Sequence, residues 1–386
     1  MSGRQTNPAP ASRLASLRRI TSGGRFIPEI DGFRLLAILV VLNEHIYLQV
    51  ALPKGLPWPR ILTLPDGGMR GVYLFFTISG FILSLPFARR ALVNTPSAPA
   101  FSYSAYLKRR VTRLEPPYVL TLLLRFILLL TVMRAAGDAL GPHFAATLFY
   151  VHSLVYGSMS TISPPTWSLE VEVQFYLLAP FLAGVFRIRS PFHRRALLVI
   201  VTLGFALFAN SLSINSPRLA LSLAGNLQYF TAGLLLCDLY LTCPLRKLSE
   251  YAWDFLGIGA LALLLWATSR WAIVVFPFGT VVLYLAGLRG RYVRRLFAAP
   301  LVSIAGGMCY SVYLTHGTVL AAVAKAFSHF DLSALPMFVQ LSMVLALSLI
   351  AAFLVGAICF VVLERPCMDP RWPEKLVAAV RRRFRV

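Results

Sequence analysis

The stretch IPEIDGFRLLAILVVLNEHIYLQVAL (residues 27–52) is apolar enough to cross a bilayer, yet it carries Arg34 near its start and Glu44 and His45 well inside it. About 20 apolar residues in a helix span the hydrocarbon core. A charge at the centre costs roughly 2.5–3.5 kcal/mol on insertion scales, so an ionisable residue inside a span points to function. Arg34 and His45 are 11 residues apart, three turns plus about 20°, and therefore share a helix face. The rise between them is about 16 Å, which puts Arg34 at one membrane boundary and His45 past the midplane. Asp31 and Gly32 are expected to cap and turn the chain ahead of the helix. Arg34 would then sit in the first turn, where the helix dipole disfavours a cation and a nearby anion is needed. By itself Arg34 also reads as a snorkelling topology determinant, and His45 as an interhelical hydrogen-bond partner. A neutral imidazole is nevertheless suited to general-base work. Glu44 points about 100° away from His45, so spacing does not pair the two.

The whole chain has the same character. Of its 386 residues 58% are apolar and 13% charged, too little polar surface for a soluble globule, so the fold class expected is an all-α polytopic integral membrane protein. The net charge of +22 does not point to nucleic acid, because the basic residues lie between hydrophobic runs rather than on a soluble module. They cluster at Arg13–Arg25, Arg89–Arg113, Arg187–Arg195, Arg246–Lys247, Arg289–Arg295 and Arg371–Arg385. The positive-inside rule assigns all six to the cytoplasmic face. About ten spans are expected, near 33–52, 70–88, 117–133, 170–187, 196–213, 219–241, 253–269, 271–288, 299–326 and 335–363, with both termini cytoplasmic.

Residues 143–156 (HFAATLFYVHSLVY) are apolar but about 14 long, short for a crossing. Counting them would send the basic loop at 187–195 outside. Residues 134–169 are therefore expected to form an outer excursion, re-entrant or surface-lying, with Pro142, His143, His152, Pro164 and Pro165. Residues 1–26 read as a flexible basic cytoplasmic tail without a cleaved signal, 27–366 as the transmembrane domain, and 367–386 as a second basic cytoplasmic tail. The five cysteines are scattered, without the spacing of a metal site or a disulfide framework, and no metal is expected. No internal repeat of the kind that marks many transporters is visible.

Five further stretches carry polar residues in apolar surroundings: GVYLFFTISGF (71–81), LKRRVTRLEPPY (107–118), PPTWSLEVEVQFYLLAP (164–180), GGMCYSVYLTHGTVL (306–320) and LERP (363–366). Together with PEIDGFR and the His that follows ten residues later, these stretches resemble, in order, the acyltransferase-3 family of membrane O-acyltransferases. The resemblance carries the family's basic residue and catalytic His onto Arg34 and His45, and its Arg-x-x-Arg pair onto Arg110 and Arg113. Its Ser-Gly-Phe falls on Ser79–Phe81, its Trp-Ser-Leu-x-Val-Glu on Trp167–Glu172, its Tyr-rich stretch on Tyr310, Tyr313 and His316, and its Glu-Arg-Pro on Glu364–Pro366. Val173 departs from the second glutamate often seen there, and Glu44 replaces an apolar or aromatic residue. The hydrolase-like extracytoplasmic domain of some relatives is not expected after Pro366.

The resemblance implies acyl-CoA as donor substrate, acetyl-CoA by default, and no bound cofactor. Its phosphates would meet Arg34, Arg110 and Arg113, since guanidinium groups stay charged and bind two oxygens at once. His45 would act as base, with an acyl-imidazole as a variant. Glu172 would orient His45 or an acceptor hydroxyl, or simply form an ion pair. Asp31, Glu44, Ser79, Trp167, Tyr313 and His316 are supporting candidates, Ser79 with Gly80 also reading as a close helix approach. Implied acceptors are hydroxyls of a glycan or a lipid-linked glycan, or a small natural product such as a macrolide. Membrane lipid is the other partner, and the bacterial inner membrane the implied location. Aromatics such as Trp58, Trp167 and Trp271 serve either as interfacial anchors or as platforms for sugar rings. The rival class is a transporter of an anionic or lipid-linked solute, with the same arginines as counter-charges.

Overall fold

Each apolar run forms helix, because backbone groups in hydrocarbon have no water to bond and must satisfy one another. A computed structural model describes residues 17–20, 26–64, 67–93, 101–132, 137–212, 216–243, 248–267, 271–330, 334–369 and 371–383. The first helices are α1 (Pro28–Ile46), α2 (Met69–Leu92), α3 (Tyr103–Thr131), α4 (Gly137–Leu148), α5 (His152–Tyr156), α6 (Trp167–Leu182) and α7 (Pro191–Leu212). Then come α8 (Pro217–Ala220), α9 (Leu223–Thr242), α10 (Glu250–Trp266), α11 (Ala272–Arg289), α12 (Tyr292–Ala298) and α13 (Pro300–Gly307). The last are α14 (Cys309–Ser328), α15 (Met337–Cys359), α16 (Arg365–Cys367) and α17 (Trp372–Arg383).

Among the described residues, seven helical segments are long and apolar enough to cross a membrane, or eight if α11 and α12, bent by 86° where they meet, count as one. Over their described residues, all ten expected runs fall on helices. Two of them stand outside that count: α10 has 17 residues, and α14, after the short α13, has its apolar run diluted by Ser311, Thr315 and His316. The bend before α12 has a visible cause. The Asp254 carboxylate accepts from the N–H groups of Arg291, Tyr292 and Val293 at 3.0–3.2 Å, an anion placed on a helix N-terminus.

Helix α1 packs against α2, α12, α13 and α14, and α2 packs along α9. The segments containing α2 and α9 are the most enclosed spans; that of α3 is the least. Glycine permits the central crossing: a Cβ on Gly233 would lie 2.6 Å from Phe81 N and 2.7 Å from Gly80 Cα. Gly306 likewise leaves room for the Asp31 carbonyl, which brings α13 onto the first turns of α1.

Residues 143–156 divide between α4 and α5, of 12 and 5 residues, and neither is long enough to cross. The excursion is tied to its neighbours by polar contacts. Tyr118 Oη of α3 donates to Thr147 O at 2.7 Å, and Ser153 N–H donates to the fully buried Glu170 at 2.8 Å. His143 Nδ1 lies 2.8 Å from His152 Nε2.

The expected tails are partly folded. Leu17 packs against the cluster of Ile304, Met308, Phe360 and Met368, and Arg19 pairs with Asp31 at 3.8 Å. At the other end Cys367 and Met368 are buried, and Trp372 Nε1 donates to Thr112 O at 2.8 Å. A short polar segment gains order here because a few apolar side chains find partners in the bundle. Residues 1–16, 21–25 and 384–386 lie outside the described residues.

Overpacking a close crossing costs about 1–3 kcal/mol. Gly233→Ala is therefore expected to lower the thermal midpoint in detergent by several degrees, and Gly233→Val to abolish a monodisperse size-exclusion peak. Gly259→Ala, at a position facing open space, leaves both unchanged.

Candidate active site

Pro28 opens α1 with Ile27 as its N-cap, the position where a missing N–H and a fixed φ suit helix initiation. Asp31 is therefore not the cap expected from the sequence but a residue of the first turn. Its carboxylate, 2% exposed, accepts from Arg34 one turn later. A carboxylate is favourable at that end of a helix and supplies the anion that Arg34 requires.

Beside Arg34 opens a cavity of about 150 Å³, lined from α1, α2, α3, α6, α13 and α14 together with Arg19 and Glu364. Four arginines reach it, Arg19, Arg34, Arg110 and Arg113, against two carboxylates, Glu172 and Glu364. Arg110 lies over the rings of Tyr106 and Tyr176, at 5.8 and 5.9 Å from their centroids. Arg113 stands 4.0 Å from Glu364, which also accepts from Ser311 at 2.7 Å. Glu172 accepts from Ser79 at 2.6 Å. Burial, then the charge of Arg34, presses the pKa of Arg19 below its ordinary value, and Asp31 opposes both. An anion entering the cavity would relieve that repulsion.

Of the residues singled out in the sequence, Arg34, Ser79, Arg110, Arg113, Glu172 and Tyr313 meet in this cavity. His45 does not line it. Its Nδ1 donates to Val41 O at 2.9 Å, since a carbonyl can only accept, which leaves the Nε2 lone pair as the basic site. Nε2 has no bonding partner among the described residues and is not fully enclosed by protein. The His316 ring packs edge-on to His45, with centroids 4.7 Å apart. His316 Nδ1 donates to Tyr313 O at 2.6 Å, and its Nε2 is buried without a partner. Tyr313 joins this pair to the cavity: its ring centroid is 5.5 Å from that of His316, and its hydroxyl donates to Pro165 O at 2.6 Å and meets Ser168 Oγ at 2.6 Å.

Two sequence expectations are corrected by this arrangement. Glu172 faces the arginines and binds Ser79, so it does not orient His45, whose contacts come from Val41 and His316. Trp167 is 3% exposed and packs edge-on against Phe76, which removes it as a platform for sugar rings. Glu44 packs over Gly67 and Gly68 before α2, away from His45 as its helix angle requires. Ser79 and Gly80 divide the two roles weighed for them: Gly80 admits the Phe230 backbone of α9, and Ser79 makes the polar contact.

Sequence reasoning missed several contributors. Arg19 was hidden in a basic segment that gave no sign of docking. Tyr176 also lines the cavity, beside Tyr310 and Glu364, which the resemblance had singled out. Arg125, alone in VLTLLLRFILLLT (119–131), carried the same signal as the opening stretch, a charge deep in a span. Its Nε donates to Ile162 O, and its Nη1 to Thr318 Oγ1 at 3.0 Å. Among the described residues no group of three His, Cys, Asp or Glu side chains could hold a metal.

The fold and site define an integral membrane protein with an arginine-lined cavity near a histidine pair. The sequence model described as an acyltransferase domain, that of the acyltransferase-3 family, matches residues 27–362, so the chain belongs to that family. It is similar to O-acetyltransferase OatA of Staphylococcus aureus strains NCTC 8325, COL and MRSA252, at 24% identity over 361 residues, 85% of this chain and 55% of each relative. The chain thus spans about half the length of these relatives. No solved structure matches it.

Removing one partner of a buried ion pair leaves an uncompensated charge, whereas replacing both is far less costly. Glu364→Met alone is expected to lower the thermal midpoint by several degrees. The double variant with Arg113→Met should recover at least half of that loss, as read in a double-mutant cycle by scanning fluorimetry.

Proposed function

We propose that this protein is an O-acyltransferase that takes an acyl group, acetyl in the simplest case, from acyl-CoA at the cytoplasmic side of a bacterial inner membrane. The acceptor is a hydroxyl of a glycan or another envelope-associated molecule. The observation that carries this reading is the cavity lined by Arg19, Arg34, Arg110 and Arg113, set about 16 Å along α1 from His45. Phosphate oxygens match guanidinium forks, and four of them outnumber the carboxylates in the lining. The names of the OatA relatives favour acetyl as the acyl group and oxygen as the acceptor atom.

In the proposed reaction the CoA phosphates dock at the arginines and the pantetheine runs along α1 past Tyr313. The acceptor hydroxyl gives its proton to His45 Nε2 as its oxygen attacks the thioester carbonyl. The tetrahedral intermediate collapses with loss of the CoA thiolate, which recovers that proton from the imidazolium. The bond from Nδ1 to Val41 O supports this role by keeping the lone pair on Nε2. Ser79 and Glu172 fix the cavity wall opposite the arginines and keep part of the donor site charge-balanced.

The test is binding and turnover of radiolabelled acetyl-CoA by the purified full-length chain. His45→Ala is expected to cut CoA release by about 10²–10⁴-fold, the usual contribution of a positioned base, with the thermal midpoint unchanged. Arg110→Ala combined with Arg113→Ala should weaken donor binding at least tenfold. Full activity in His45→Ala would overturn the assignment of the base, and an absence of donor binding by folded wild type would overturn the donor.

A further inference from the structure

Arg125 lies 12 residues beyond Arg113 on α3, a rise of about 18 Å that parallels the 16 Å from Arg34 to His45 on α1. Both helices thus carry arginine at the level of the cavity and one further functional side chain at a second level. Contacts to α14 tie these second-level groups together. His45 meets His316, Arg125 bonds Thr318 two residues on, and a Cβ on the intervening Gly317 would lie 3.4 Å from Arg125 Nη1. The guanidinium is held in place by Ile162 O on its Nε and by Thr318 on its Nη1. No carboxylate of the described residues is within ion-pair distance of it. Its Nη2 bonds no described residue and is not fully enclosed by protein. An unpaired cation at this depth of a span is costly, and a staple between a loop and α14 would need only neutral donors.

We propose that Arg125 is the electrophilic residue of the reaction centre, its free N–H group binding the oxyanion that forms on the acyl carbonyl while His45 Nε2 takes the acceptor proton. This inference rests on the acyltransferase reading given above. As the acceptor oxygen bonds to the carbonyl carbon, the C=O π pair moves to oxygen and meets the guanidinium. When that pair returns, the C–S bond breaks and the thiolate leaves with the proton held by His45. A positive group fixed in advance at the point where negative charge develops needs no reorganisation during the reaction. The two carbonyl and hydroxyl anchors on Nε and Nη1 supply that fixation. The His316 ring, packed edge-on against His45, limits rotation of that imidazole.

The test compares wild type with Arg125→Gln and Arg125→Lys in the purified full-length protein, reading kcat for CoA release from acetyl-CoA and, separately, the Kd for CoA. Arg125→Gln is expected to lower kcat about 10²–10³-fold with the Kd within twofold, and Arg125→Lys to recover part of the loss because the charge persists. A kcat within threefold of wild type for Arg125→Gln would overturn the proposal, as would a loss of CoA affinity as large as the loss of rate. If Arg125→Gln fails to fold, Thr318→Val decides. There, a drop in kcat of tenfold or more with CoA binding intact supports the role, and an unchanged kcat overturns it. Should His45→Ala keep full activity, the base assignment falls, while the rate loss in Arg125→Gln still measures the oxyanion contact by itself.

Discussion

A helix that carries Asp31, Arg34, Glu44 and His45 cannot face hydrocarbon, and this constraint sets the place of α1 within the bundle. Helices α2, α12, α13 and α14 pack around it, and the charged side chains of its first turns find protein partners: Arg34 and Arg19 on Asp31, and Arg294 on Glu29 at 3.1 Å. The close approaches follow from the same demand. Gly306 admits the Asp31 carbonyl, and Gly32 admits the backbone at Phe297, so the polar turn of α1 is closed over by neighbouring backbone rather than by lipid. Without that closure Asp31 and Arg34 would be an exposed ion pair in a medium that stabilises neither charge.

With α1 fixed, the chemistry separates into two levels. The lower holds arginines, two carboxylates and a ring of tyrosines around an open cavity; the upper holds the His45 and His316 rings with Arg125 and Thr318 beside them. Helix α14 runs through both, with Tyr310 and Tyr313 on the cavity and His316 and Thr318 beyond it. The proposed reaction, which joins a large, highly charged donor to a small reacting group, would use such a separation. Phosphate binding calls for several cations, whereas a base needs a neutral imidazole with a free lone pair, which His45 keeps on Nε2.

Helical faces and apolar run lengths made much of this legible. The period of 3.6 residues put Arg34 and His45 on one face and turned Glu44 away, and the continuous helix α1 keeps that relation. Arg110 and Arg113, three residues apart on α3, share a helix face and line the same cavity. Local rules did less well at the helix start, where Asp31 looked like a cap because it precedes the apolar run, but Pro28 initiates the helix a turn earlier. Glu172 and Trp167 were misjudged for a different reason: sequence order says nothing of which face of α6 meets α2 and which meets α9.

The sequence alone settles that the chain is helical and membrane-embedded and marks Arg34 and His45 as candidates for chemistry, because both follow from local quantities: run length, helical period and the cost of a charge in hydrocarbon. Only the tertiary structure decided how those residues are partnered. The docking of Arg19, the pairing of Arg113 with Glu364, the contact of His45 with His316 and the anchoring of Arg125 on Ile162 and Thr318 all join segments far apart in the chain. Such contacts depend on helix packing, where a glycine or a bend shifts a neighbour by several ångströms, and no local periodicity encodes that.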